Sequence, residues 1–255
     1  MQKYKVTLAY DGTDFEGFQI QPRGRTIQGE VEKALKKIAK NHFVRIHPSG
    51  RTDSGVHARG QVFHFTWPLA KALPAATIKK ALNVNLPRDV QVLAVEAVTQ
   101  DFHARYHAQT KTYRYLVQAP SFNDPLTYRY IYHHPYALDL KKLTQALDQL
   151  QGTHDFTGFS SAKSDKTDKI RTLYEAQVTY NEDKSLYTFT FTGDGFLYNM
   201  VRRMMGALLL IGDGRQPIAI IDKIFHLSEE NTLAPTAAAC GLYLESVEYE
   251  KNFRS

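Results

Sequence analysis

Residues 50–65 read GRTDSGVHARGQVFHF. A single carboxylate, Asp53, stands two residues after Arg51 and between Gly50 and Gly55, and Gly60 closes the segment. Glycines permit tight backbone geometry and the close approach of a ligand or a second stretch of chain. Arg51 offers a positive charge that would keep a nearby aspartate ionised in a partly dry cleft. Gln61-Val62-Phe63-His64-Phe65 then reads as a strand, with Val62 and His64 on one face. Arg, Asp and Gly also make ordinary surface turns. The pattern therefore defines a candidate carboxylate, Asp53, and leaves a plain structural turn open beside it.

A chain of 255 residues with 43% hydrophobic content can bury a substantial core, as one domain or two. One cysteine, Cys240, leaves no internal disulfide and no cysteine-rich metal cluster, which suits a reducing compartment. Met1 to Thr7 is polar and begins the first strand, so no secretory segment is expected. The longest apolar run, Ala207 to Ile211, falls far short of the ~20 residues that span a bilayer. No membrane association is expected, and the reading is a cytoplasmic protein.

The net charge is +6 and the isoelectric point near 9.2. A basic excess of this size serves solubility as readily as nucleic-acid binding. The basic residues cluster, however. Arg23 and Arg25 precede a helix bearing Lys33, Lys36, Lys37 and Lys40, and Lys163, Lys166, Lys169 and Arg171 punctuate a polar loop. The helical lysines also fit a simple solvated face, with Glu32 four residues before Lys36 as a helical ion pair.

Strands and helices alternate along the chain. Lys3 to Tyr10 places Tyr4, Val6, Leu8 and Tyr10 on one strand face. Thr26 can N-cap a helix with Ile27, Val31, Ala34, Leu35 and Ile38 on one side. Pro74 to Leu82 is a second helix candidate, Val90 to Val98 and Thr112 to Val117 are strands, and Asp139 caps a helix that turns Leu140, Leu143, Leu147 and Leu150 inward before Gly152. Arg171 to Tyr180 and Leu186 to Thr192 form a hairpin around Asn181-Glu182-Asp183-Lys184. Met200 to Ile211 is a largely buried helix and Leu242 to Tyr249 a final strand. This spacing favours an antiparallel α+β sheet over a doubly wound parallel one.

There is no Walker loop, no GxGxxG after a strand and no HExxH. His103 and His107 have helical metal-ligand spacing, but they sit at a strand-to-strand junction where helix is not indicated, so no metal is expected. Arg202 opens an otherwise apolar helix. A buried guanidinium there needs a carboxylate or carbonyl partner, unless the side chain reaches solvent. Tyr106, Tyr113 and Tyr115 are all aromatic candidates for stacking on a base, and their pattern does not choose among them.

With its glycines and acid, GRTDSGVHARGQVFHF resembles the signature of the TruA family of tRNA pseudouridine synthases, whose catalytic aspartate lies in GRTDxGVH. Further matches follow in order. They are YDG...GFQ.Q (Tyr10 to Gln21), NVNLP (Asn83 to Pro87), DFHAR (Asp101 to Arg105), KTYRYLV (Lys111 to Val117), GDGFLYNMVRRMMG (Gly193 to Gly206) and GLYL (Gly241 to Leu244). The resemblance covers essentially the whole chain. It implies two ferredoxin-like halves around a central cleft, with a mixed, mainly antiparallel sheet and helices packed on it, residues 1–107 forming one half and 108–255 the other. It implies isomerisation of uridine to pseudouridine at positions 38, 39 and 40 of the tRNA anticodon arm, by a homodimer that needs no cofactor.

Asp53 takes the family's catalytic role in this resemblance, as nucleophile. Tyr113 becomes the active-site tyrosine, Arg202 the arginine facing the aspartate, Arg51 a substrate contact and Leu244 part of an apolar wall. Three positions depart from the commoner pattern: Ser54 stands where alanine is frequent, Phe18 where tryptophan is frequent and Asp194 where asparagine is frequent. Two rivals are weighed against this. A catalytically silent tRNA-binding protein on the same scaffold would have no need of Asp53, and against a metal- or acid-dependent nuclease using Asp53 stands a key loop with one carboxylate where a two-metal site would want several.

Overall fold

The computed structural model describes residues 1–161, 168–227, 233–250 and 253. The chain divides into two compact units, one made of Met1–Gln109 with Leu244–Ser255, the other of Thr110–Tyr243. Lys163 and Lys166, two members of the expected basic cluster, lie outside the described residues.

The first unit runs β1 (Lys3–Tyr10), α1 (Ile27–Ile38), β2 (His47–Pro48), β3 (His57–Thr66), α2 (Ala75–Asn85) and β4 (Val90–Val98). Strand order is β4-β1-β3, with β2 on β3 and the C-terminal strand Leu242–Tyr249 beside β3. β1 pairs antiparallel with both β3 and β4. Alternation along β1 buries Tyr4, Val6, Leu8 and Tyr10 as expected. β3 contains the strand expected over Gln61–Phe65. Val62, Phe63, His64 and Phe65 are all buried, so both of its faces are covered.

Thr26 caps α1 by accepting from Gly29 N, and the helix buries Ile27, Val31, Ala34 and Leu35. Glu32 does not form the expected surface pair with Lys36. It is buried, and its Oε1 accepts from Gln28 Nε2 (2.8 Å) and Ile46 N (3.1 Å), tying the helix to the chain that follows it. α2 extends past the expected end at Leu82. Its Asn83 donates to Val92 O and accepts from Val92 N where β4 slips register against β1, so the NVNLP motif serves the sheet at an irregular point.

In the second unit come β5 (Ala108–Gln118), β6 (Tyr132–His133), α3 (Leu140–Leu150), β7 (Gly152–Asp155), a 3-10 turn (Thr157–Phe159), β8 (Ile170–Asn181), β9 (Leu186–Gly193), α4 (Met200–Gly212) and α5 (Ile220–Phe225). The final strand, β10, is Leu242–Tyr249. Strand order is β5-β9-β8-β7, antiparallel throughout, and β6 adds the one parallel pairing described, to β5. The fold is α+β with a mixed, mainly antiparallel arrangement and helices packed on it. Asp139 caps α3 by accepting from Lys142 N. Leu140, expected inward, is 39% exposed, because the first turn of α3 lies outside the buried stripe of Leu143, Ala146, Leu147 and Leu150. The hairpin β8–β9 turns as expected, with Asn181 Oδ1 accepting from Lys184 N. Among the described residues no helix is long and apolar enough to cross a membrane.

Candidate active site

Residues 49–56, between β2 and β3, lie outside the ladders, so their polar groups must be met by neighbouring chain. Ser49 N donates to Val62 O (2.7 Å) and its Oγ to Gln61 Oε1 (2.8 Å), while Gln61 Nε2 donates back to Gly50 O (3.1 Å). Phe18 N donates to Thr52 O (3.0 Å), and Ser54 Oγ to Phe15 O (3.0 Å). Val56 N closes a turn on Asp53 O (3.1 Å), with Gly55 in the left-handed region at φ +77°.

Residues 10–18 press against this turn. A Cβ added at Gly12 would overlap Val56 O, and one at Gly17, itself at φ +88°, would lie 2.8 Å from Thr52 O. Gly12 N donates to His57 Nδ1 (3.1 Å), and Asp11 Oδ1 sits 3.2 Å from the same nitrogen. The stretch resembling YDG...GF is therefore a backbone mould around the Asp53 turn. At its centre Asp53 is half-buried, and Arg51 beside it is exposed. Below the turn, the hydroxyls of Tyr10 and Thr52 meet at 2.7 Å in the interior. Burial pushes the Tyr10 hydroxyl up to about 12 against smaller opposing pulls from Thr52 and Gln61, so it stays protonated at neutral pH.

In the second unit, α4 starts from Asn199 at φ +60°. Arg202 is half-buried. Its Nε donates to Ala237 O (2.8 Å) and a terminal nitrogen to Asn199 Oδ1 (3.3 Å), while Ala237 N donates back to Arg202 O (3.0 Å). The deeply buried guanidinium of this helix is that of the next residue, Arg203, which donates to Gly158 O (3.4 Å). The sequence of the helix offers no signal of which of its two adjacent arginines turns inward.

The three candidate tyrosines separate. Tyr115 is fully buried, its hydroxyl donating to Ala238 O (2.7 Å), so its ring is a core ring. Tyr106, in the first unit, is 74% exposed and lies on His103 with ring centroids 4.2 Å apart. Tyr113 sits at the margin of the core, edge-on to Phe196 at 4.9 Å. Leu244, on β10, is buried in the first unit. The structure thus places Asp53 and Arg51 on one turn of the first unit, and Tyr113 and Arg202 on elements of the second.

His103 and His107 are local hydrogen-bond partners, with His103 N donating to His107 Nδ1 (3.3 Å). Among the described residues no group of three or more His, Cys, Asp or Glu is arranged to hold a metal ion. Two of the expected basic residues are committed elsewhere. Arg25 pairs with Asp89 (2.6 Å) and Glu30 (3.3 Å) and lies over the Phe15 ring, and Arg171 is buried against the carbonyls of Asp168 and Ile170. Lys33, Lys36, Lys37 and Lys40 remain exposed on α1 and just beyond its end.

The α+β scaffold thus moulds one carboxylate, Asp53, into a glycine-edged turn. The family described as tRNA pseudouridine synthase matches residues 7–107 and 146–250. The tRNA pseudouridine synthase A of Latilactobacillus sakei subsp. sakei (strain 23K) is 46% identical over 249 residues, 98% of this chain and 99% of that protein. The protein of the same name from Streptococcus gordonii is 44% identical over 251 residues, 98% of this chain and all of that one. The chain belongs to the tRNA pseudouridine synthase family.

Proposed function

We propose that this chain isomerises uridine to pseudouridine at positions 38, 39 and 40 of the tRNA anticodon arm, with Asp53 as its nucleophile. Family membership makes it an isomerase of tRNA uridine. The target positions, the residue roles, a homodimeric working form and a cytoplasmic location extend that statement. The reaction breaks the N1–C1′ bond and joins C5 to the same sugar carbon, while C5 loses a proton and N1 gains one. It is redox-neutral and asks for a held carboxylate rather than a cofactor. Tyr113 offers a ring at the core margin for an extruded base, Arg202 and Arg51 offer charge, and Leu244 supports an apolar wall.

The observation that carries the reading is the Asp53 turn, shaped by Gly12, Gly17 and Gly55 so that a half-buried carboxylate is presented by fixed backbone. Asp53→Asn keeps the side-chain shape and removes the charge. With unmodified tRNA, followed by carbodiimide-based mapping, this variant is expected to bind normally and form no pseudouridine. Appreciable turnover would remove Asp53 from the role, and a wild-type chain that binds tRNA without modifying it would leave the silent binding protein. Light scattering of the active enzyme tests the dimer.

A further inference from the structure

We infer that Tyr10 is a positioning residue for the reaction, acting through a buried hydroxyl pair with Thr52 to fix the turn that carries Asp53. The inference rests on the role of Asp53 proposed above. It starts from an oddity of β1. Tyr4, Val6, Leu8 and Tyr10 form one buried stripe, and a phenylalanine would fill the last position as well as a tyrosine. The Tyr10 hydroxyl is nonetheless carried into the interior, where a polar group without a partner is costly. It meets Thr52 Oγ1 at 2.7 Å, from a residue 42 positions away and immediately before Asp53, and the Gln61 side chain also acts on it.

Thr52 is held twice. Its side chain meets Tyr10, and its carbonyl accepts from Phe18 N (3.0 Å). Upstream, Gln61 secures Gly50 and Ser49, and downstream the turn closes on Val56 N. Between these anchors the direction in which Asp53 leaves the backbone depends on the peptide that joins it to Thr52. The hydroxyl pair opposes rotation of Thr52 about its own Cα together with the Phe18 bond to its carbonyl. A displacement of about 1 Å at a reacting group costs on the order of a hundredfold in rate, so a single hydrogen bond at this point can act on turnover without being needed for folding.

The test measures single-turnover pseudouridine formation, tRNA affinity and thermal midpoint for Tyr10→Phe, Thr52→Val, their double variant and Thr52→Ser, with Asp53→Asn in parallel. Tyr10→Phe and Thr52→Val are each expected to slow the chemical step about tenfold, the effect of one lost hydrogen bond expressed in the transition state. Affinity should stay within about twofold, since neither side chain is exposed. The double variant should be no slower than the slower single variant, because both remove the same contact. Thr52→Ser keeps the hydroxyl and should restore most of the rate. A Tyr10→Phe rate equal to wild type, fully additive single effects, or losses that merely follow the unfolded fraction would each overturn the inference. If Tyr10→Phe does not fold, Thr52→Val against Thr52→Ser decides, and equal rates for those two overturn it. An active Asp53→Asn would instead mean that the functional reading beneath it has failed.

Discussion

The Asp53 turn and the start of α4 hold their charged residues by opposite means. Around Asp53 the holding groups come from short, separate stretches, with Tyr10, Phe15, Phe18 and Gln61 each making one or two hydrogen bonds to the turn. Arg202 instead rides on thirteen residues of helix, Met200–Gly212, where it exchanges hydrogen bonds with Ala237 and donates to Asn199 Oδ1. A turn assembled from many light contacts can be misaligned without being unfolded. A helix packed as one body passes any local insult to the whole core.

The largest expected effect therefore falls on α4. Gly206 packs so closely on the 233–238 segment that an added Cβ would overlap the Pro235 carbonyl oxygen. Neither backbone can yield without moving the helix, so Gly206→Ala should destabilise the second unit by about 3 kcal/mol. Urea denaturation would show this as a lower midpoint, and a midpoint within experimental error of wild type would break the contrast. Gly12→Ala makes a similar overlap, with Val56 O, but in the region of light contacts. It should shift the turn, cutting turnover about a hundredfold with a smaller loss of stability. If Gly12→Ala proves the more unfolded of the two, the turn is part of the core after all.

Much of this was legible in the sequence, because the elements concerned carry local signals. Period-two burial in β1, the caps Thr26 and Asp139, and the turn residues of the β8–β9 hairpin each express a preference of adjacent residues. The motifs also pointed to Asp53 as a candidate. What sequence could not supply was partnership across long separations. Nothing near Thr52 says that it needs Tyr10, and nothing near Glu32 says that it will accept from Ile46 N rather than lie beside Lys36. Charge read along the chain likewise missed that Arg25 is bound to Asp89, 64 residues on. The short α5 escaped because six residues are too few for a helical period to declare itself.

A smaller difference between the regions is their response to acid. β3 continues from the Asp53 turn and buries His64, whose Nδ1 accepts from Ala104 N (3.1 Å). Burial first, then the neighbouring His103, His47 and Lys3, push its pKa from 6.5 down to about 3. The folded value lies below the unfolded one, so this contribution is complete above about pH 6.5 and is lost as pH falls toward 3. Allowing for solvent screening, about 1 kcal/mol should be gone by pH 5.5. In the second unit His134 is also lowered by burial, but Asp213 at 3.0 Å opposes the shift and should soften its response. His64→Asn keeps an acceptor for Ala104 N and cannot titrate. Urea midpoints at pH 7.5 and 5.5 should converge in that variant, and an unchanged pH slope would assign the acid sensitivity elsewhere.

The finest distinction concerns two polar residues, Ser54 and Asp194, one in each region. Ser54 Oγ donates to Phe15 O (3.0 Å), so Ser54→Ala removes one of the light contacts on the Asp53 turn and should cost about 0.5 to 1 kcal/mol. Asp194 accepts from Thr172 N through Oδ1 (3.1 Å), while its own N–H donates to Thr172 O. An asparagine Oδ1 accepts the same bond, so Asp194→Asn should leave stability within about 0.5 kcal/mol. Its effect belongs to charge. Removing one exposed anion from a chain of net charge +6 should tighten tRNA binding by about twofold at low salt, and the gain should vanish as added salt screens it. Denaturation separates the pair by stability and a salt series separates them by affinity. A salt-independent gain for Asp194→Asn would mean that it makes a direct contact, and no gain at any salt would place residue 194 away from the bound RNA.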